Sequence, residues 1–205
     1  MSLKSFPHYQ QQEAADCGPS CLRMIAKYYG KVYSAEMLRK RCFISREGVS
    51  LLGISDAAES IGLRTIGVQI SFKQLAEDAS FPCILHWNQN HFVVCYGIEK
   101  RKRKGEFEYR IHISDPATQR VNLTRKEFEK CWFSSRNSQD ETGVALMLEP
   151  SPNFGSVEDE FHTTKKSLFS FAKYLLPFKS LGLQLIFGLI AGCIIQLILP
   201  FLSQA

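Results

Sequence analysis

The apolar positions change period along the chain and divide it into helical and extended stretches. Cys21, Leu22, Ile25, Ala26 and Tyr29 recur at helical spacing and stop at Gly30. They predict a helix that begins at Asp16, with the Asp16 carboxylate as its cap and Pro19 in its first turn. Further helices are predicted over 34–41 and 50–61, the latter with Ile54, Ala57, Ala58 and Ile61 on one face and Gly62 after its end. Residues 63–70 alternate as a strand, and Ser71 with Gln74 forms a capping box for a short helix through Asp78.

From Phe81 the period becomes that of strands. Residues 83–87 and 91–98 flank an Asn88-Gln89-Asn90 turn, and 107–114 returns after the charged stretch 99–106. That stretch, with its Lys100 to Lys104 run, reads most simply as a solvated hairpin tip, anionic lipid being the other contact such a run could make. The hairpin brings the start of one strand beside the end of the next, so His91 and Asp115 fall at one end of the sheet. A short strand over 121–123, a helix capped by Thr124 and Glu127, a polar loop over 134–141 and a last strand over 144–148 complete the pattern. The fold class is α+β, a helix packed on an antiparallel sheet.

Beyond Pro150 the period is lost. The organisation expected is a domain over 1–150, a linker over 151–166, and a juxtamembrane segment with a transmembrane helix over 167–205. Residues 181–202 carry no charge and, at about 1.5 Å per residue, can cross a hydrocarbon core of about 30 Å. Lys165, Lys166, Lys173 and Lys179 precede them, as expected on a cytoplasmic side. Gln184 and Gln196 suit contact with further helices, as in a polytopic protein.

The formal charge of +5 is matched by the Lys100 to Lys104 run alone, so it does not point to nucleic acid. The seven cysteines, at 17, 21, 42, 83, 95, 131 and 193, lack the pairing and histidine spacing of a zinc site, and free thiols are expected. Cys17 differs from the rest by its place at a helix start, where unpaired N–H groups and the dipole favour negative charge. With His91 and Asp115 it could carry out acyl transfer: imidazole shares the thiol proton and the carboxylate orients the ring. An amide from the preceding segment, Gln11 or a neighbour, could join the Cys17 N–H in holding an oxyanion. Among other histidines, His112 faces away from Ile113, His8 and His162 read as structural or surface residues, and the pattern leaves His86 open.

Several motifs together resemble one family. They are Gln11 six residues before the cysteine, Asp16-Cys17-Gly18, Tyr28-Tyr29-Gly30, Gly48-Val49-Ser50-Leu51-Leu52-Gly53, His86-Trp87, His91-Phe92-Val93-Val94 and Asp115-Pro116-Ala117. Residues 6–149 resemble the cysteine peptidase domain of peptidase-containing ABC transporters, which process and export bacteriocins and related peptides. The resemblance implies a papain-like fold with Cys17 as nucleophile, His91 as general base and acid, Asp115 as orienter and Gln11 as oxyanion donor. It implies cleavage of leader peptides after Gly-Gly and no cofactor for the peptidase, with ATP used only by a nucleotide-binding domain outside this sequence. The partners it implies are the leader peptide, the membrane and the rest of a homodimeric exporter. The location is the bacterial inner membrane, with the peptidase domain on the cytoplasmic side. Gln119, Ser20 and the long 134–141 loop depart from the family pattern at non-catalytic positions. The alternatives are a docking domain that binds cargo without cutting it, and a membrane-anchored cysteine hydrolase of other specificity.

Overall fold

The computed structural model describes residues 5–44, 48–103, 106–133, 141–157 and 179–203. It divides into two compact units, Met1–His162 and Thr163–Ala205. Residues 167–178 of the juxtamembrane and transmembrane segment expected over 167–205, the 134–140 part of the polar loop, residues 158–166 of the expected linker, and His162 lie outside the described residues.

In the first unit a 3₁₀ turn, Ala14–Asp16, leads into α1 (Cys17–Tyr28), followed by α2 (Ala35–Arg41) and α3 (Leu51–Ser60). Ser34 and Ser50 cap α2 and α3 by accepting the N–H groups of Met37 and Gly53, an interaction that contributes about 1 kcal/mol each. Then come β1 (Leu63–Ser71), α4 (Phe72–Glu77), β2 (Cys83–Trp87), β3 (His91–Arg103), β4 (Glu106–Ser114), β5 (Arg120–Thr124), α5 (Arg125–Trp132) and β6 (Thr142–Pro150). The strands form one sheet in the order β1-β6-β2-β3-β4-β5, with every neighbouring pair antiparallel.

Both faces of this sheet are covered, which is why its central strands read as continuous apolar runs. Ile84, Phe92, Val94, Leu146 and Leu148 pack with Leu22, Ile25, Leu38, Ile54 and Ala58 of α1 to α3. Cys83, Leu85, Val93, Cys95 and Ala145 turn to the opposite face and meet Phe72, Leu75, Phe128 and Trp132 of α4 and α5. A strand buried on both faces gains hydrophobic stabilisation at every position, so alternation disappears from its sequence.

Two details differ from the sequence pattern. Residues 99–103 and 106 of the charged stretch expected as a hairpin tip are strand: β3 and β4 stay paired through Lys100↔Tyr109, Arg101↔Glu108 and Lys102↔Phe107. The Lys100 ammonium lies 4.4 Å from the Phe107 ring centroid, so cation and aromatic ring support each other across the ladder. Asp16 does not cap α1. No side-chain cap bond reaches the helix; instead Asp16 Oδ2 accepts the N–H of Glu13, closing the 3₁₀ turn before it.

Residues 151–157, expected as the start of a linker, are held on the first unit. Ser151 N–H donates to Gly62 O at 3.0 Å, Gly155 N–H donates to Ile61 O at 3.3 Å, and the Phe154 ring meets Tyr29. In the second unit, α6 (Lys179–Ser203) forms where the uncharged run was found, and its described apolar side chains are exposed. Among the described residues no helix is long and apolar enough to cross a membrane.

Candidate active site

The site assembles where α1 begins, β3 begins and β4 ends. Cys17 opens α1 and is buried, with 4% of its surface exposed. Gly18 makes that burial possible: a Cβ there would stand 2.6 Å from Val49 Cγ1 and 2.7 Å from Ile54 Cδ1. The loop before α3 therefore closes directly over the first turn of α1. One turn further, Cys21 Sγ donates to the carbonyl oxygen of Phe92 at 3.3 Å, joining α1 to the strand residue next to His91.

His91 Nε2 is 2.7 Å from Asp115 Oδ1, and Cys17 is near enough to act on the basicity of the ring. With Nε2 committed to a carboxylate, Nδ1 is the atom left for the thiol. Burial by itself would lower the basicity of the ring. The hydrogen bonds and charges of Asp115 and Cys17 overcome it and raise the pKa to about 9, so the imidazolium form persists at neutral pH.

Asp115 is fixed by its own turn. The Ala117 N–H donates to Oδ1 at 2.8 Å, the Thr118 hydroxyl donates to Oδ2 at 3.2 Å, and the Asp115 N–H donates to Gln119 O at 3.1 Å. Burial would raise its pKa, but the bonds from His91, Ala117 and Thr118 outweigh that and hold the carboxyl below its ordinary value. Gln119 thus contributes only its backbone to the turn.

Gln11 lies in an irregular extended segment whose N–H donates to Pro116 O at 2.9 Å, beside Asp115. Gln10 and Gln12 are exposed while Gln11 is half-buried, so burial selects Gln11 from its neighbours. Its Oε1 is buried with no hydrogen-bond partner among the described residues. That oxygen is an acceptor, so a role toward an oxyanion would fall to the Nε2 group of the same amide.

The other thiols and histidines are engaged elsewhere. Burial drives the Cys21 thiol well up and pushes Cys42 to about 12, keeping both protonated at neutral pH. None of the seven cysteines is in a disulfide. His112 is buried and shares a 2.7 Å hydrogen bond with Asn122, and His8 shares one of 3.0 Å with Ser114. His86 joins Val49, Leu51, Phe92 and Val144 in lining a cavity of about 330 Å³. Val49 and Phe92 connect this cavity to the surroundings of Cys17 and His91. Among the described residues no group of His, Cys, Asp and Glu could hold a metal ion.

One neighbour escaped the sequence pattern. Arg39 of α2 reaches the turn before Cys17, with Nη2 2.8 Å from Glu13 Oε2 and Nε 2.9 Å from Asp16 Oδ1. A partly exposed arginine in a short helix carries no sequence signal for such a contact.

The chain is similar to known proteins. The chain is 31% identical over 164 residues to the probable microcin-H47 secretion/processing ATP-binding protein of Escherichia coli, covering 80% of this chain and 21% of that one. It is 31% identical over 192 residues to the lactococcin-G-processing and transport ATP-binding protein of Lactococcus lactis subsp. lactis, covering 91% and 24%. The chain thus spans a minor part of these relatives. Among solved structures, a double-glycine motif protease from an AMS/PCAT transporter, in complex with the leader peptide, matches at 34% identity and a TM-score of 0.61. That match covers 72% of this chain and 93% of that one. The peptidase domain of Streptococcus ComA, described as a bi-functional ABC transporter of a quorum-sensing pathway, matches at 25% identity and a TM-score of 0.58. It covers 72% of this chain and 100% of that domain. Residues 5–152 match the peptidase C39 family, and the chain belongs to that family.

Proposed function

We propose that the first unit is a papain-like cysteine peptidase that cuts leader peptides after a Gly-Gly pair, in step with export by an ABC transporter. The observation that carries this reading is the 2.7 Å contact of His91 with Asp115, at the end of β3 that the Cys21–Phe92 bond ties to the start of α1 where Cys17 stands. Cys17 Sγ attacks the scissile carbonyl carbon, and the resulting oxyanion is stabilised by the Gln11 amide with the Cys17 N–H. His91 gives its proton to the leaving amine as the C–N bond breaks, leaving a thioester on Cys17. It then takes a proton from water, whose oxygen attacks the thioester; the C–S bond breaks, releasing the leader acid and leaving the Cys17 thiolate with the His91 imidazolium. Asp115 holds the imidazole in orientation and stabilises its charge throughout.

The relatives' names and the leader-bound protease support the substrate class. The cavity lined by Val49, Leu51, Phe92 and Val144 with Ser50, His86, Gln89 and Asn90 offers a peptide both apolar contacts and hydrogen-bonding groups, and its Val49 is the residue that meets Gly18, next to Cys17. The reaction uses groups of the protein alone and no cofactor. ATP belongs to a nucleotide-binding domain of the wider exporter, which works as a homodimer. The run 181–202, 22 residues without a charge, is read as the first transmembrane helix of that exporter, with the peptidase on the cytoplasmic side of the bacterial inner membrane; Lys165, Lys166, Lys173 and Lys179 before the run support that side.

The test is mass spectrometry of products from a panel of leader peptides. The expected result is a single cut after Gly-Gly with the wild type and none with Cys17→Ala. Cutting by Cys17→Ala would overturn the proposed chemistry. Binding without any cut by the wild type would instead make the domain a docking module.

A further inference from the structure

We propose that Arg39 is a positioning residue for the nucleophile, clasping the turn before Cys17 and neutralising the buried Asp16 carboxylate beside it. This rests on the reading of Cys17 as nucleophile. An aspartate one residue before a helix would ordinarily accept that helix's first N–H groups. Here both carboxylate oxygens are occupied away from α1: Oδ2 accepts the Glu13 N–H at 3.1 Å, and Oδ1 lies 2.9 Å from Arg39 Nε. The Arg39 contact is an ion pair whose N–H points off the hydrogen-bond line, so charge matters more in it than direction. The other arm of the guanidinium takes Glu13 Oε2, while the Asp16 N–H closes the turn on Glu13 O at 3.0 Å. Glu13, Asp16 and Arg39 are thus one linked unit, and it ends at Cys17.

The two halves of the clasp differ in weight. Glu13 is 64% exposed, and a pair with it contributes little. The Asp16 side chain is 6% exposed, and a buried carboxylate deprived of its counter-charge is costly. With Arg39 removed, a bare negative charge would sit one residue from the sulfur that must itself become negative. The turn would also lose its tie to α2, moving the thiol relative to His91. A one-ångström displacement at the reacting atom lowers turnover without loosening substrate held elsewhere.

The test measures two things on the full chain at pH 7: the rate at which iodoacetamide labels Cys17, located by peptide mass spectrometry, and kcat and KM on a leader peptide. Arg39→Met is expected to slow labelling and kcat by about tenfold or more with KM changed less than about twofold. Adding Asp16→Asn, which removes the unpaired charge, is expected to recover most of the labelling rate. Arg39→Lys retains a charge for Asp16 but cannot bridge to Glu13 as the guanidinium does, and is expected to fall between wild type and Arg39→Met. Wild-type labelling and kcat in folded Arg39→Met, or a double variant as slow as the single one, overturns the proposal. If Arg39→Met does not fold, Arg39→Lys decides, with wild-type values in it overturning the proposal. Because labelling needs no peptide substrate, a wild type that labels but does not cut removes the leader-peptidase reading without touching this one.

Discussion

Cys21 Sγ donates to the carbonyl oxygen of Phe92, so the second turn of α1 is tied to the second residue of β3. Cys17 lies one helical turn before the first partner and His91 one residue before the second. The bond therefore fixes how far α1 slides along β3, and with it the alignment of thiol and imidazole. A cysteine that does no chemistry thus helps to set the spacing of one proposed to do it.

Replacing Cys21 with valine keeps a similar volume and removes the donor. The expected cost is about 1 kcal/mol, read as a lower denaturation midpoint. Labelling of Cys17 by iodoacetamide should slow at the same time. Unchanged labelling in a destabilised protein would separate packing from alignment.

Asp115→Asn leaves the Thr118 and Ala117 contacts largely possible but removes the charge that keeps His91 protonated. We expect kcat on a leader peptide to fall by about 100-fold or more. The alkaline limb of the pH profile should move to lower pH, because the carboxylate is a principal cause of the raised His91 pKa.

The same pair sets the pH dependence of stability. Folding raises His91 from 6.5 to about 9, so its contribution is complete below pH 6.5 and disappears as pH rises through about 9. Asp115 is lowered from 3.8, so its contribution holds above that value and is lost as pH falls through the folded one. Thermal midpoints should therefore decline on both sides of a mildly acid plateau. In His91→Gln the alkaline decline should flatten; an unaltered decline would assign it to other groups.

Gln11→Ala tests the oxyanion role directly. Removal of a donor used mainly in the transition state should lower kcat by about 100-fold and leave KM within about twofold. A change confined to KM would make Gln11 a binding residue.

Gly18→Ala tests how closely the loop covers the helix start. The new Cβ meets Val49 and the inner part of Ile54, neither of which can swing away freely. A loss of about 1 to 3 kcal/mol is expected from overpacking. Pairing it with Val49→Ala should restore part of the loss in a denaturation series.

The elements were legible wherever local pattern and tertiary burial agreed. Ser34, Ser50, Ser71 and Thr124 stand before helices in the structure because their capping chemistry is local. His91 and Asp115 meet because an antiparallel hairpin leaves little choice about which ends coincide. The insertion of β6 between β1 and β2 was not legible, since strand order depends on which faces the helices cover. Nor was the fate of Asp16, whose carboxylate is drawn from the helix by an arginine on another element. The 99–106 stretch misled because charge usually marks a turn. Here lysines lie opposite Phe107 and Tyr109, and the ladder continues.

That continued ladder gives the domain a long arm. From His91 to Lys102 is eleven steps of strand, about 37 Å at 3.4 Å each. A partner that meets the basic end therefore stands far from the candidate site, although both strands run back to it. A label or tether placed at the basic end stands far from Cys17, His91 and Asp115, and can report on how the first unit is held while leaving those three groups untouched.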